Sequence, residues 1–103
     1  MQQVSANEII TFVRSIEGTG DQELKTAAQS KAFTVRAVGD GIEYTPSSTG
    51  KPRAHPHRWL SRICDEFSRT NSFKPVNYQR ITVNASYALA VIARYLQGHS
   101  RAV

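Results

Sequence analysis

The sequence predicts a single α+β domain made of two N-terminal helices, an antiparallel β-hairpin and two C-terminal helices. Three observations support this class: a helix-capping signal before apolar residues at helical spacing, an alternating segment that ends in Gly-Asp-Gly, and two long C-terminal segments with apolar residues three and four positions apart. A chain of 103 residues fits one domain. We expect residues 1–98 to form this unit and residues 99–103 to fray.

The first helix is predicted to begin after Ser5. Residues 5–8, Ser-Ala-Asn-Glu, have the spacing of a capping box, and apolar residues then recur at helical spacing. The Gly-Thr-Gly of residues 18–20 ends this helix, because glycine accepts the left-handed conformation of a C-cap. A second helix is expected from Asp21 to about Ala32. Its narrow apolar stripe consists of Leu24, Ala27 and Ala28.

The clearest β pattern lies in residues 33–38, which alternate with period two and are rich in β-branched side chains. Gly39, Asp40 and Gly41 provide the positive φ angles of a tight turn, so residues 42–45 should return antiparallel. Residues 46–56 have the composition of a loop. Residues 76–83 fit either a third short strand or a short helical turn, and the pattern slightly favours the irregular or helical alternative.

Two helices are expected in the C-terminal half of the chain. Pro56 suits the first turn of a helix that runs to about Thr70, because the missing proline N–H is not needed there. The core-facing stripe of this helix is Leu60, Ile63, Cys64 and Phe67. The last helix, residues 84–97, is apolar over more than half its circumference and should be the most buried one. With Tyr87 and Tyr95 it is also the expected contact for a homo-oligomer.

The sequence contains no complete motif for catalysis, for a phosphate-binding loop or for a metal site. Residues 47–51 end in Gly-Lys, but the preceding glycine is too distant and a proline follows the lysine. His55, His57 and Cys64 are too few for a metal site, and the remaining candidate, His99, is distant. We therefore expect no metal and no cofactor, and an enzymatic role stays open as the less favoured alternative.

The composition favours a reducing compartment. The single cysteine excludes an intrachain disulfide, whereas small secreted domains usually carry several. The first residues lack the pattern of a signal peptide, and no segment approaches the roughly 20 apolar residues of a membrane span. We expect a cytoplasmic protein with no membrane partner.

Positive charge is concentrated in the second part of the chain. Residues 1–43 carry four basic and six acidic side chains, whereas residues 44–103 carry nine basic and two acidic ones. Residues 45–62 contain no carboxylate. The N-terminal end of a helix disfavours cations, yet Arg58 and Arg62 fall in the first turns of a predicted helix. An anion bound over this helix start would turn that unfavourable interaction into a favourable one.

These features predict a small basic nucleic-acid-binding protein, accessory or regulatory, that holds the phosphates of DNA or RNA with a loop and a helix N-terminus. The predicted contact residues are Lys51, Arg53, His57, Arg58, Trp59 and Arg62. Trp59 is placed either to stack on a base or an arginine, or to form the rim of the core. The alternative function is a protein-interaction or assembly module that docks an acidic partner.

Overall fold

A computed structural model describes residues 2–26 and 29–101, of which residues 99–101 are described by their backbone alone. In these residues, three helices pack against one face of a four-stranded antiparallel sheet with the strand order β1-β2-β3-β4. The helices are α1 (Ala6–Ile16), α2 (His57–Thr70) and α3 (Ala85–Arg101). The strands are β1 (Glu23–Lys25), β2 (Ala32–Val38), β3 (Gly41–Pro46) and β4 (Arg53–His55). The α+β class is confirmed, while the helix count and the sheet differ from the prediction.

The helix α1 begins as the sequence predicts. The Ser5 hydroxyl accepts a hydrogen bond from the Glu8 N–H at 3.2 Å, which satisfies one of the free donors of the first turn. The Glu8 carboxylate accepts from the Tyr95 hydroxyl of α3 at 2.6 Å. Ile9 and Val13 are completely buried, so the apolar face of α1 lies in the core.

The second predicted helix, Asp21 to Ala32, is wrong. Gly20–Gln22 forms a single 3-10 turn, and Glu23–Lys25 then pairs with β2, placing Leu24 opposite Phe33. Ala27 and Ala28 lie outside the described residues. The physical reason is tertiary: this short polar segment buries Leu24 beside a core phenylalanine and gains the hydrogen bonds of a sheet, which outweighs its weak helical pattern.

The predicted hairpin is confirmed as β2 and β3, with Val35 opposite Tyr44. The predicted loop of residues 46–56 is only partly correct, because Arg53–His55 forms β4 against β3. This pairing depends on Gly41, where an added Cβ would lie 2.5 Å from the His55 carbonyl oxygen. A side chain at this position would therefore push β4 away from β3.

The two C-terminal helices are largely as predicted. The α2 stripe of Leu60, Ile63, Cys64 and Phe67 is completely buried. Pro75–Tyr78 forms a 3-10 turn, so the helical alternative for this segment is the one observed and the third strand at residues 76–83 is not formed. The helix α3 continues past Gly98 to Arg101, beyond the predicted end. Fraying of residues 99–103 stays a prediction.

Within the described residues, no helix has the length and apolar character required to cross a lipid bilayer.

Candidate functional site

The six predicted contact residues are distributed over three consecutive pieces of the chain. Lys51 lies in the loop after β3, Arg53 opens β4, and the other four occupy the first two turns of α2. Lys51, Arg53, Arg58 and Arg62 are exposed, whereas His57 and Trp59 are half-buried. The four cations are therefore accessible, but they lie on three different elements: a loop, a strand and a helix.

Arg58 and Arg62 both pack on Trp59, and we call these three residues the Trp59 cluster. The guanidinium carbon of Arg58 lies 5.3 Å from the centroid of the indole, and that of Arg62 lies 5.1 Å from it. Both distances fall within the roughly 6 Å of a cation–π contact. Trp59 therefore holds two positive charges at the surface instead of only closing the rim of the core.

In the described part of the chain, neither guanidinium of the Trp59 cluster has a carboxylate within ion-pair distance. Glu66, four residues after Arg62 on α2, accepts instead from Arg69, with Arg69 Nε 3.0 Å from Glu66 Oε1. This contact holds the pKa of Glu66 below its usual value through a hydrogen bond from Arg69. Arg62 and Glu66, although four residues apart on one helix, thus form no ion pair, and neither guanidinium of the cluster is paired with a carboxylate among the described residues.

The helix start beneath this cluster lacks the usual polar cap. Pro56 occupies the N-cap position without a side-chain hydrogen bond, and the first turn carries no acidic residue. The Pro56 carbonyl accepts from the N–H groups of Trp59 and Leu60, both at 3.1 Å. The partial positive charge of the helix end therefore adds to the charges of the arginines.

A second group, which we call the Tyr87 cluster, consists of Arg53, Tyr44, His55 and Tyr87. The guanidinium carbon of Arg53 lies 5.7 Å from the Tyr87 ring centroid. Tyr87 stacks on Tyr44, with ring centroids 5.5 Å apart and planes inclined by 25°. The Tyr44 hydroxyl shares a hydrogen bond of 2.7 Å with His55 Nδ1. Arg53 is thus connected through aromatic rings to the core.

His55 is the most unusual member of the Tyr87 cluster. It is only 2% exposed, and its Nε2 atom is buried without a hydrogen-bond partner among the described residues. Burial lowers the pKa of His55 to about 4 and raises that of Tyr44 well above its usual value. His55 is therefore neutral near pH 7 and contributes no charge to the carboxylate-free segment of residues 45–62.

Two further side chains, the predicted contact His57 and the hairpin residue Arg36, have partners within the fold. His57 Nε2 lies 3.1 Å from Asn7 Oδ1, so this imidazole connects α2 to α1. Arg36 lies on the outer face of the sheet with its Nε 2.8 Å from Glu43 Oε1. The reason is strand alternation, since the neighbouring Val35 is buried under the helices and Arg36 must therefore point away from them.

Metal binding and thiol chemistry find no support in the described residues. They contain no group of three or more histidine, cysteine or carboxylate side chains that is suited to hold a metal ion. Cys64 is completely buried, and burial raises the pKa of its thiol to about 12. Such a cysteine is an inert core residue.

Sequence reasoning missed the Tyr87 cluster because its members are far apart in the chain. Arg53 and Tyr87 meet only through the packing of α3 against the sheet. The one local signal was Tyr44, which shares the inward face of its strand with Ile42.

Comparison of the chain with models of protein families, with curated protein sequences and with solved structures finds no match. The fold and the two clusters therefore carry the functional argument alone.

Proposed function

We propose that the chain binds nucleic acid, DNA or RNA, through the Trp59 cluster together with Lys51 and Arg53. The observation that carries this proposal is the pair of guanidinium groups stacked on one half-buried indole at a helix start, with no carboxylate beside them in the described residues. A basic face that includes aromatic rings is the arrangement with which proteins hold phosphates and stack on bases or sugars.

The electrostatics of the helix start favour an external anion. Each cation near a helix N-terminus is disfavoured by about 0.3–1 kcal/mol, while each cation–π contact returns about 0.5–1 kcal/mol. Arg58, the second residue of α2, is thus held in place at little net gain in stability for the free protein. A phosphate placed over Arg58 and Arg62 interacts favourably with both side chains and with the helix end.

The remaining cations are close enough to take part in the same contact. Arg53 and Arg58 are five residues apart, so their Cα atoms are separated by at most about 18 Å even if the chain between them is fully extended. A nucleic-acid strand presents several phosphates over that length. Contacts of this kind position a protein on the backbone and give salt-sensitive affinity without reading the base sequence.

The test is a titration of fluorescently labelled single-stranded and duplex DNA and RNA, followed by anisotropy at several salt concentrations. Trp59 is the only tryptophan of the chain, so quenching of its emission reports directly on the proposed site. We expect binding at low salt, together with quenching. Failure of every oligonucleotide to bind at low salt would refute the proposal.

A matched pair of double variants separates the site from overall charge. Arg58→Gln with Arg62→Gln should weaken binding about tenfold or more and reduce the slope of log affinity against log salt by about 1.4 for a single strand or about 1.8 for a duplex. Arg36→Gln with Arg69→Gln removes the same charge from ion-paired positions. This control should keep most of the affinity; equal losses in the two variants would contradict the assignment.

The alternative, an acidic protein partner, is distinguished by competition. Poly-L-glutamate at equal charge concentration imitates such a partner but has no bases to stack. If it displaces the oligonucleotide as effectively as unlabelled nucleic acid does, the acidic-partner function is favoured.

A further inference from the structure

One cavity in the described residues is a groove that the proposed function does not use. It has a volume of about 950 Å³ and lies between β1, the segment of residues 73–76 and α3. None of the six predicted contact residues lines it. We call it the α3 groove. Its volume is at the upper end of the range, roughly 300–1,000 Å³, that is typical of small-molecule sites.

The walls of the α3 groove are apolar and partly open to solvent. Leu24 and Leu89 contribute buried side chains to the lining, while Phe73 and Val76, which also line the groove, are 44% and 61% exposed. Phe73 is supported by the core, since its ring centroid lies 4.9 Å from that of Phe67. The exposed apolar wall is therefore attached to the folded core.

Small residues of α3 create the space. Ala90 and Ala93 line the groove one helical turn apart, and the lining positions run from Ser86 to Gln97. The eleven residue steps from Ser86 to Gln97 correspond to a helix rise of about 16 Å. The groove is thus elongated along α3 and has room for a linear apolar body.

The charges at the groove are predominantly positive. Lys25 on β1 and Lys74 in the segment of residues 73–76 both line it, and neither has an ion-pair partner within the described ranges. Arg94 is already bound, with its guanidinium 2.7 Å from Asp21 Oδ1. Glu23 is the one carboxylate in the lining. The lining of the groove therefore has two lysines without an ion pair against one carboxylate, which leaves a net positive charge.

From the apolar walls, the elongated shape and the two lysines, we propose that the α3 groove binds a small amphipathic organic anion. Its apolar body lies along Ala90 and Ala93, and its carboxylate lies near Lys25 and Lys74. This proposal is independent of nucleic-acid binding, because the two sites share no residue. An amphiphile with a positive head would meet the same walls but would be repelled by the lysines, so head-group charge is the decisive property.

Decanoate, used below its micellar concentration, is the probe that tests this. Two-dimensional amide NMR should show saturable shifts at Ala90 and Ala93, and decyltrimethylammonium, with the same chain and the opposite charge, should bind at least tenfold more weakly. Equal affinity for the two amphiphiles, or decanoate shifts confined to residues outside the groove, would overturn the proposal.

Two kinds of variant test the geometry. Lys25→Gln with Lys74→Gln should weaken decanoate binding at least fivefold, while Lys51→Gln, a lysine outside the groove, should leave it unchanged. Ala93→Leu should block the groove. This substitution also endangers folding, so the variants at the exposed lysines test the proposal independently of it. Unchanged affinity in the double lysine variant would overturn the proposal, as would a stable dimer in sedimentation whose interface protects the groove.

Discussion

Two adjacent segments of residues 45–62, β4 and the first turns of α2, differ in where their polar side chains are anchored: those of β4 contact the core, and the arginines of α2 contact one surface tryptophan. In β4, His55 is buried against Tyr44, and Arg53 lies over Tyr87. Two residues further on, α2 begins, and Arg58 and Arg62 contact Trp59 at the surface. The density of basic residues in a sequence therefore does not show which side chains are accessible to a partner, because accessibility depends on how each residue packs in the fold.

The difference also separates stability from binding. In β4, the His55 side chain is buried, and the His55 backbone lies directly against Gly41. Substitution of His55 or Gly41 should therefore destabilise the fold. The Trp59 cluster is supported by one indole, so its substitution should affect binding far more than folding.

The largest effect is expected from the pH dependence of His55. Its pKa is about 4 in the folded protein against about 6.5 when unfolded, so below pH 6.5 the unfolded state binds a proton that the folded state does not. Stability is then full above pH 6.5 and falls as the pH drops towards 4, by about 3 kcal/mol in total. Urea unfolding of the wild type and His55→Gln measures this.

The variant isolates the contribution of His55 from that of the carboxylates, which titrate in the same range. The wild type should lose about 3 kcal/mol more than His55→Gln between pH 7 and pH 4. Identical pH profiles would mean that the imidazole is not buried in its neutral form.

A smaller loss is expected from Gly41→Ala. The added Cβ would lie 2.5 Å from the His55 carbonyl oxygen and 3.0 Å from the Pro56 Cα atom, and both are backbone atoms that cannot move independently of β4. We expect a loss of about 2 kcal/mol in the free energy of unfolding. Gly20→Ala is the matched control, because its Cβ meets nothing within 4 Å. Similar losses in the two variants would show that contact with β4 is not the cause.

Sequence reasoning succeeded where the signal is local. The cap at Ser5, the alternation of β2 and the apolar stripe of α2 are all visible within a dozen residues, and each was confirmed. It failed at β1 and β4, which are three residues long and too short to show a period of two. Both strands exist because β2 and β3 offer edges for pairing, which is a property of the assembled sheet.

The candidate site divides in the same way. Contact between Arg62 and Trp59 was foreseen as one option, since the two are neighbours on a helix. Burial of His55 and the contact of Arg53 with Tyr87 were not, because they depend on α3 packing beside a sheet whose strands come from another part of the chain. The local sequence pattern thus indicated the contact at the surface of α2 and missed the contacts that attach Arg53 and His55 to the core.

The smallest effect on stability, and the sharpest contrast with binding, is expected from Arg58→Glu. Removing a cation from the helix start and placing an anion there each stabilise by about 0.3–1 kcal/mol, while the lost contact with Trp59 costs about 0.5–1 kcal/mol. The free energy of unfolding should therefore stay within about 1 kcal/mol of the wild type or rise slightly. Oligonucleotide affinity should fall at least tenfold, because a carboxylate now faces the phosphate. Urea unfolding and anisotropy on the same samples measure both; a clear loss of stability with unchanged affinity would assign Arg58 to the fold instead of the site.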